Sequence, residues 1–163
     1  MFYLGITNYF IPYTKMVCPL CNAKTKSNQP CKRKTCKFAP KCFQHTSVTV
    51  APSNIAGRGL FAQRAIRAGE IVGDYAVGTE RLSAAQFRAK YPNGRATHVW
   101  APRGGSVYYD AVDPRKSIAG MANRGPTGAQ NNAKITAGGK IKAKRNIPQG
   151  REILVGYGPG FRL

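Results

Sequence analysis

All five cysteines of this chain fall between residues 18 and 42, and His45 follows them, in the stretch CPLCNAKTKSNQPCKRKTCKFAPKCFQH. A segment so rich in Lys and Pro has too little to bury to build a hydrophobic core, so the chemistry of its thiols must order it. In a reducing compartment that chemistry is zinc binding rather than disulfide formation. Cys18 pairs with Cys21 at one end and Cys42 with His45 at the other, each across two intervening residues, with Cys31 and Cys36 between. Thiolate and imidazole suit a tetrahedral structural zinc, whose binding would supply the folding energy of the segment. Six candidates compete for four positions, and the short Cys42–His45 loop favours chelation most. The cluster also divides the chain. Residues 1–15 read as an apolar, aromatic arm, 16–46 as a zinc-binding basic module and 47–163 as the body.

Charge narrows the partners. Twenty-six Lys and Arg stand against six Asp and Glu, a formal charge of +20. Such a surface attracts polyanions, nucleic acid first, through contacts that carry no base specificity. No stretch approaches the roughly 20 apolar residues of a membrane span. The arm MFYLGITNYFIPYTK lacks a basic leader and contains Pro12, which argues against a signal peptide. The expectation is a soluble, intracellular protein.

From Thr46 onward the pattern changes. SVTVAPS alternates and is β-branched, a strand signal. The next apolar runs are short and are cut by Gly57, Gly59, Gly69, Gly73 and Gly78, which predicts short strands and tight turns. SAAQFRAKY is the best helix, with Ser83 as its cap and Ala85, Phe87 and Tyr91 on the buried side. THVWAPRGGSVYYDAVD predicts a hairpin, and KSIAGMANRG one or two helical turns at most. AKITAGGKIKAKRNIPQGREILVGYG predicts two closing strands joined by the Pro148-Gln149-Gly150 turn. The body is mostly β with little helix, and without βαβ alternation a Rossmann sheet is excluded.

Four pieces of this body, in order, resemble the SET-domain protein-lysine methyltransferases. They are NIAGRGLFAQRAIRAGEIVGDY, VYYDAVD, SIAGMANRGPTGAQNNA and KRNIPQGREILVGYG. The resemblance implies a SET-like fold over roughly residues 48–160, S-adenosylmethionine as methyl donor and a protein lysine as acceptor. It implies Tyr157 as the catalytic tyrosine. Gly57, Arg58 and Gly59 would bring backbone close to the donor, and Asn123 and Arg124 would bind it. Asn132 matches the second Asn of the same loop. Tyr75 and Tyr109 would wall the lysine channel, with a last wall from Phe161 or from a second subunit in a homodimer. The Cys-rich segment in turn resembles small Cys/His modules of large DNA viruses. That likeness implies Cys21, Cys31, Cys42 and His45 as zinc ligands, with Cys18 and Cys36 as alternates.

Methyl transfer to an amine is an in-line displacement, so donor and acceptor must be held aligned in a narrow dry channel. The attacking lysine must be neutral, and an apolar aromatic channel lowers its pKa by desolvation. Two departures from the family stand out. Its Asn-His-Ser-Cys becomes Asn123-Arg124-Gly125-Pro126, and the interval from Asn123 to Asn132 is about three residues longer. Two functional classes therefore stand side by side. One is a methyltransferase acting on a nucleic-acid-associated protein in the nucleus or a viral factory. The other is a SET-like basic packaging protein of a virion, with catalysis weakened or lost.

Overall fold

The computed structural model describes residues 20–33, 41–42 and 45–157. The arm, Cys18, Cys36 and Phe161 lie outside the described residues. The body is built of short strands with little helix, as the glycine-cut apolar runs predict. Strands β1 (Val48–Pro52) and β2 (Arg58–Ala62) form an antiparallel hairpin, in register from Val48 opposite Ala62 to Pro52 opposite Arg58. Gly57 sits at the turn with φ of 45°, a left-handed conformation that glycine adopts without a Cβ clash.

A second sheet has the order β3-β8-β7-β9, from β3 (Ile71–Asp74), β7 (Ala133–Ile135), β8 (Lys140–Ala143) and β9 (Val155–Gly156). A third has the order β4-β6-β5, from β4 (Glu80–Ser83), β5 (Val99–Trp100) and β6 (Val107–Asp110). The predicted hairpin over THVWAPRGGSVYYDAVD is the β5–β6 pair, with Trp100 opposite Tyr109.

Two expectations need correction. The closing stretch holds three strands rather than two. The β7–β8 hairpin turns at residues 136–139, where Gly139 takes φ of 76°. The Pro148–Gly150 turn forms as well, with Arg151 N–H bonded to the Pro148 carbonyl, but it leads into β9, which runs parallel to β7. The helix α1 (Ala84–Lys90) is closed by Ser83 and Gln86 in a reciprocal capping box, yet none of its residues is buried. Ala85 is exposed, and Phe87 instead stacks on Tyr108, ring centroids 4.2 Å apart. The helix is anchored at its end, where Lys90 Nζ and the Tyr91 hydroxyl reach the buried Asp110 carboxylate at 2.8 and 2.7 Å. Burial pushes Asp110 up, but those two partners and the Val112 N–H outweigh it and hold the carboxyl below its usual range.

The core lies where the first two sheets meet. Val48, Leu60, Ile66, Ile118, Ile141, Ile147, Ile153 and Val155 are its fully buried aliphatic side chains. Each contributes roughly 1.5–3 kcal/mol by leaving water. The segment 147–155 ties this core together. On one side it bonds β2 and the chain beyond it, through Ile153 N–H to the Leu60 carbonyl and Ile147 N–H to the Ile66 carbonyl. On the other it bonds Asn123 and Asn132, through Val155 N–H to the Asn123 carbonyl and Leu154 N–H to Asn132 Oδ1. Tyr157 is therefore delivered by a strand held from both sides.

Candidate functional site

The terminal segment brings Glu152 against the β1–β2 turn. Its carboxylate accepts from the Ser53 hydroxyl at 2.9 and 3.0 Å and from Asn123 Nδ2 at 2.9 Å. The same Asn123 amide donates to the Ala56 and Arg58 carbonyls at 3.1 and 3.2 Å. Three acceptors fix which end of the amide faces inward. Asn123 thus locks the Gly57 turn to the terminal segment, while its Oδ1 accepts from none of the described residues. Asn123 thereby meets the turn that carries Gly57, Arg58 and Gly59.

The two glycines do different work. A Cβ at Gly57 would meet nothing within 4 Å, so that face of the turn is open. A Cβ at Gly59 would lie 2.8 Å from Glu152 Cδ, so the close approach there is to a side chain of the same protein. Gly59→Ala is expected to push the carboxylate away from Ser53 and Asn123 and to destabilise the fold by about 2–4 kcal/mol. Gly57→Ala should lose only the left-handed backbone term of about 1–2 kcal/mol. Thermal denaturation of both variants checks the order.

Tyr157 is half-buried at the end of the same terminal segment. Its hydroxyl donates to the Ala122 carbonyl at 2.9 Å, one residue before Asn123. Burial pushes its pKa up, the Arg124 backbone hydrogen bond and charge pull down, Glu152 pushes up again, and the net direction is upward. The group is a phenol at neutral pH. Tyr75 is buried within the core cluster that Tyr157 packs against, and burial together with the neighbouring Tyr157 also drives it upward. Trp100 stands 6.4 Å from Tyr75 and 5.2 Å from Tyr109, centroid to centroid, so the four aromatics form one cluster. Arg81 covers Tyr109 at 5.6 Å.

Sequence reasoning missed Trp100 and Ser53, and it set Glu152 beside Tyr157 in a site without naming its partners. Trp100 has a signal, since hairpin register sets it opposite Tyr109, and a Cβ at Gly139 would lie 2.9 Å from its ring. The Glu152–Ser53 contact has none, because 99 residues separate the two and only the tertiary fold brings them together. The longer interval between Asn123 and Asn132 is absorbed by a 3₁₀ turn, Gly128–Gln130, with its own capping box from Thr127 and Gln130. Asn131 Oδ1 accepts from the Gly125 N–H at 2.9 Å and closes that loop. Arg124 acts here through its backbone.

The second site is the Cys/His cluster. Cys21, Cys31, Cys42 and His45 place one ligand atom each within 4.8 Å of one another, and the three thiols are buried. Cys31 and Cys42 sulfurs are 3.9 Å apart, and His45 Nδ1 lies 3.5 and 3.4 Å from the sulfurs of Cys21 and Cys42. A tetrahedral zinc with bonds of about 2.3 Å to sulfur and 2.0–2.1 Å to nitrogen needs edges of roughly 3.8 and 3.5 Å. The donor set fits, and it could hold zinc. Burial raises the Cys21 thiol, but hydrogen bonds from the Cys42 and Ala23 backbone, then His45 and Cys42 side chains, bring it down to about 7. A thiol so lowered is disposed to bind metal as thiolate. The chain supports the knuckle with Cys21 N–H to the Arg33 carbonyl at 2.8 Å and Cys31 N–H to the Ala23 carbonyl at 2.9 Å.

The model of the SET-domain family matches residues 57–158, more than half of the chain. Among curated proteins none matches. A crystal structure from Plasmodium falciparum, provisionally described as a histone methyltransferase, aligns with a TM-score of 0.50 at 15% identity. The alignment covers 71% of this chain and 96% of that one. At that identity the likeness is one of fold.

Proposed function

The chain belongs to the SET-domain family, and from that premise we propose that it is an S-adenosylmethionine-dependent protein-lysine methyltransferase. The observation that carries this reading is the convergence of Tyr157, the Ala122–Arg124 backbone and the open Gly57 turn at one place. The residues fit the donor. The Gly57 turn has an open face, and Asn123 Oδ1, which accepts from none of the described residues, is left to accept from an ammonium group.

S-adenosylmethionine, when bound, supplies a methyl group activated by its sulfonium. The chain supplies alignment. Tyr157 stays protonated, so it orients the lysine amine and does not serve as its base. Its oxygen and the Ala122 carbonyl beside it offer acceptors for weak contacts to a polarised methyl group. Tyr75, Trp100 and Tyr109 form the apolar wall that favours a neutral amine. Phe161 and a second subunit stay as the proposed source of a further wall.

The Cys/His module binds one structural zinc in this reading. The +20 charge directs the enzyme to substrates held on nucleic acid. One observation favours a second reading, a SET-like basic packaging protein. Arg124 stands where the family has histidine, so bracing by that side chain is gone. Calorimetric titration with S-adenosylmethionine separates the two. We expect micromolar binding, roughly −8 kcal/mol, weakened about tenfold or more by Asn123→Ala. No heat at millimolar ligand would favour the packaging protein.

A further inference from the structure

The chain has six Asp and Glu side chains, and the described ion pairs join none of them to a lysine of the β3-β8-β7-β9 sheet. Glu70 holds Arg64 and Lys41, Glu80 and Asp110 share Lys90, Asp113 holds Arg115, and Glu152 holds Ser53 and Asn123. Asp74 bonds the Ala76 N–H and feels Lys140, its partner in register at the sheet edge.

Among the described residues, three exposed lysines on one face of that sheet have no acid within ion-pair distance. Along β8, Lys140, Lys142 and the following Lys144 are exposed while Ile141 and Ala143 between them are buried. On β7 the exposed Lys134 stands directly opposite Lys142 in the ladder. Like charges directly opposite on a sheet are destabilising. Residues two apart on a strand are separated by only about 6.6 Å, and neighbouring strands by about 4.8 Å. These distances lie inside the screening length of about 8 Å at physiological salt, so the repulsion persists. A solvated strand face gains nothing from that arrangement, whereas a polyanion laid across it removes the repulsion.

The face also has direction. At one end Lys142 reaches over Gly69, whose added Cβ would lie 3.7 Å from Lys142 Cε. Beside Gly69 lies a cleft of about 730 Å³, lined by Lys41 of the Cys/His module and, among other residues of the body, by Arg64, Arg67 and Glu70. At the other end Lys134 pairs with Gly156, the residue before Tyr157. A basic track thus runs from the module to the edge of the candidate site.

We infer that the outer face of this sheet, through Lys134, Lys142 and Lys144, is the docking surface for the phosphate backbone of duplex nucleic acid. This rests on the nucleic-acid association proposed above and gives it a place.

The test is fluorescence anisotropy with a short labelled DNA duplex, titrated between about 50 and 200 mM salt. Lys134→Gln/Lys142→Gln/Lys144→Gln should lower the magnitude of the log–log salt slope by about 0.9 per lost contact, roughly 2.7 in all, and weaken binding about 500-fold at 0.1 M salt. The control triple, Arg88→Gln/Arg95→Gln/Arg103→Gln, removes three exposed charges elsewhere and should leave the slope nearly unchanged. Without DNA at low salt, the lysine variant should melt no lower than the parent, because it loses only like-charge repulsion. Equal slopes for the two variants would mean diffuse charge and would overturn the assignment of the face. Failure of the parent protein to bind duplex even at low salt would overturn the association itself. The heat of S-adenosylmethionine binding, measured on the same samples, reports on the methyltransferase reading separately.

Discussion

Tyr157→Phe is expected to lower methyl transfer to a lysine substrate by about a hundredfold or more, the usual loss when one positioned polar group is removed from a reacting centre. The ring stays, and with it the packing against the core cluster that includes Tyr75. What goes is a hydroxyl that donates to the Ala122 carbonyl at 2.9 Å and takes part in a hydrogen bond with the Arg124 backbone. In a half-buried place the loss of such bonds is worth about 1 kcal/mol, a fall in Tm of about 2–4 °C for a chain of this size. Donor affinity should hold, because Asn123 and the Gly57 turn keep their bonds to Ala56, Arg58 and Glu152. The expected signature is therefore a collapse of turnover on a folded, donor-competent protein. A sensitive radiolabel assay on nucleic-acid-bound protein reads it, alongside melting and calorimetry of the same samples. Equal rates for the two proteins would make Tyr157 a core aromatic and leave the family fold without its chemistry.

The sequence carries much of this site because its local grammar is strong. The glycines from Gly57 onward announce tight turns, Ser83 announces a helix start, and alternation in SVTVAPS announces a strand. The ordered motifs place Asn123 and Tyr157, and the fold brings them within one residue of a shared contact at Ala122. Non-local contacts are harder to read. Glu152 and Ser53 meet across the whole body, and no spacing rule links them. The β7–β9 pairing is parallel and skips over β8, so a reading that joins neighbours into hairpins assigns the closing turn to the wrong pair of strands. The periodicity of SAAQFRAKY marks a helix but misplaces its contacts, because Phe87 finds Tyr108 on the adjacent strand and the helix end finds Asp110.

Removal of metal is expected to unfold one part of the protein and spare the other. Protein purified without chelator should carry one zinc per chain, lost in Cys42→Ser and in His45→Ala. The reasoning is energetic. The Cys/His segment has a cluster of its own, Cys21, Cys31 and Cys42 with Ala23 against them, separate from the Leu60–Ile141–Val155 core. Three thiols and one alanine cannot offset the entropy of ordering the knuckle, which is about 1–2 kcal/mol per residue. A structural zinc supplies roughly 10–16 kcal/mol at neutral pH, and its ligands must be deprotonated, so acid should release it as well. Among the described residues the ties to the body are few. They include Lys41 to Glu70 at 3.7 Å and the Cys42 carbonyl accepting from the Thr46 N–H just before β1. Neither reaches the body's core. Chelation should therefore open residues 20–33 to protease while the body keeps its cooperative melt, with the midpoint moved by a few degrees. Glu70 would keep Arg64 when Lys41 is lost, which limits the damage at the junction. Metal-free protein with freely reactive thiols and the same protease pattern as the parent would show that the knuckle needs no ion, and the zinc assignment would fall.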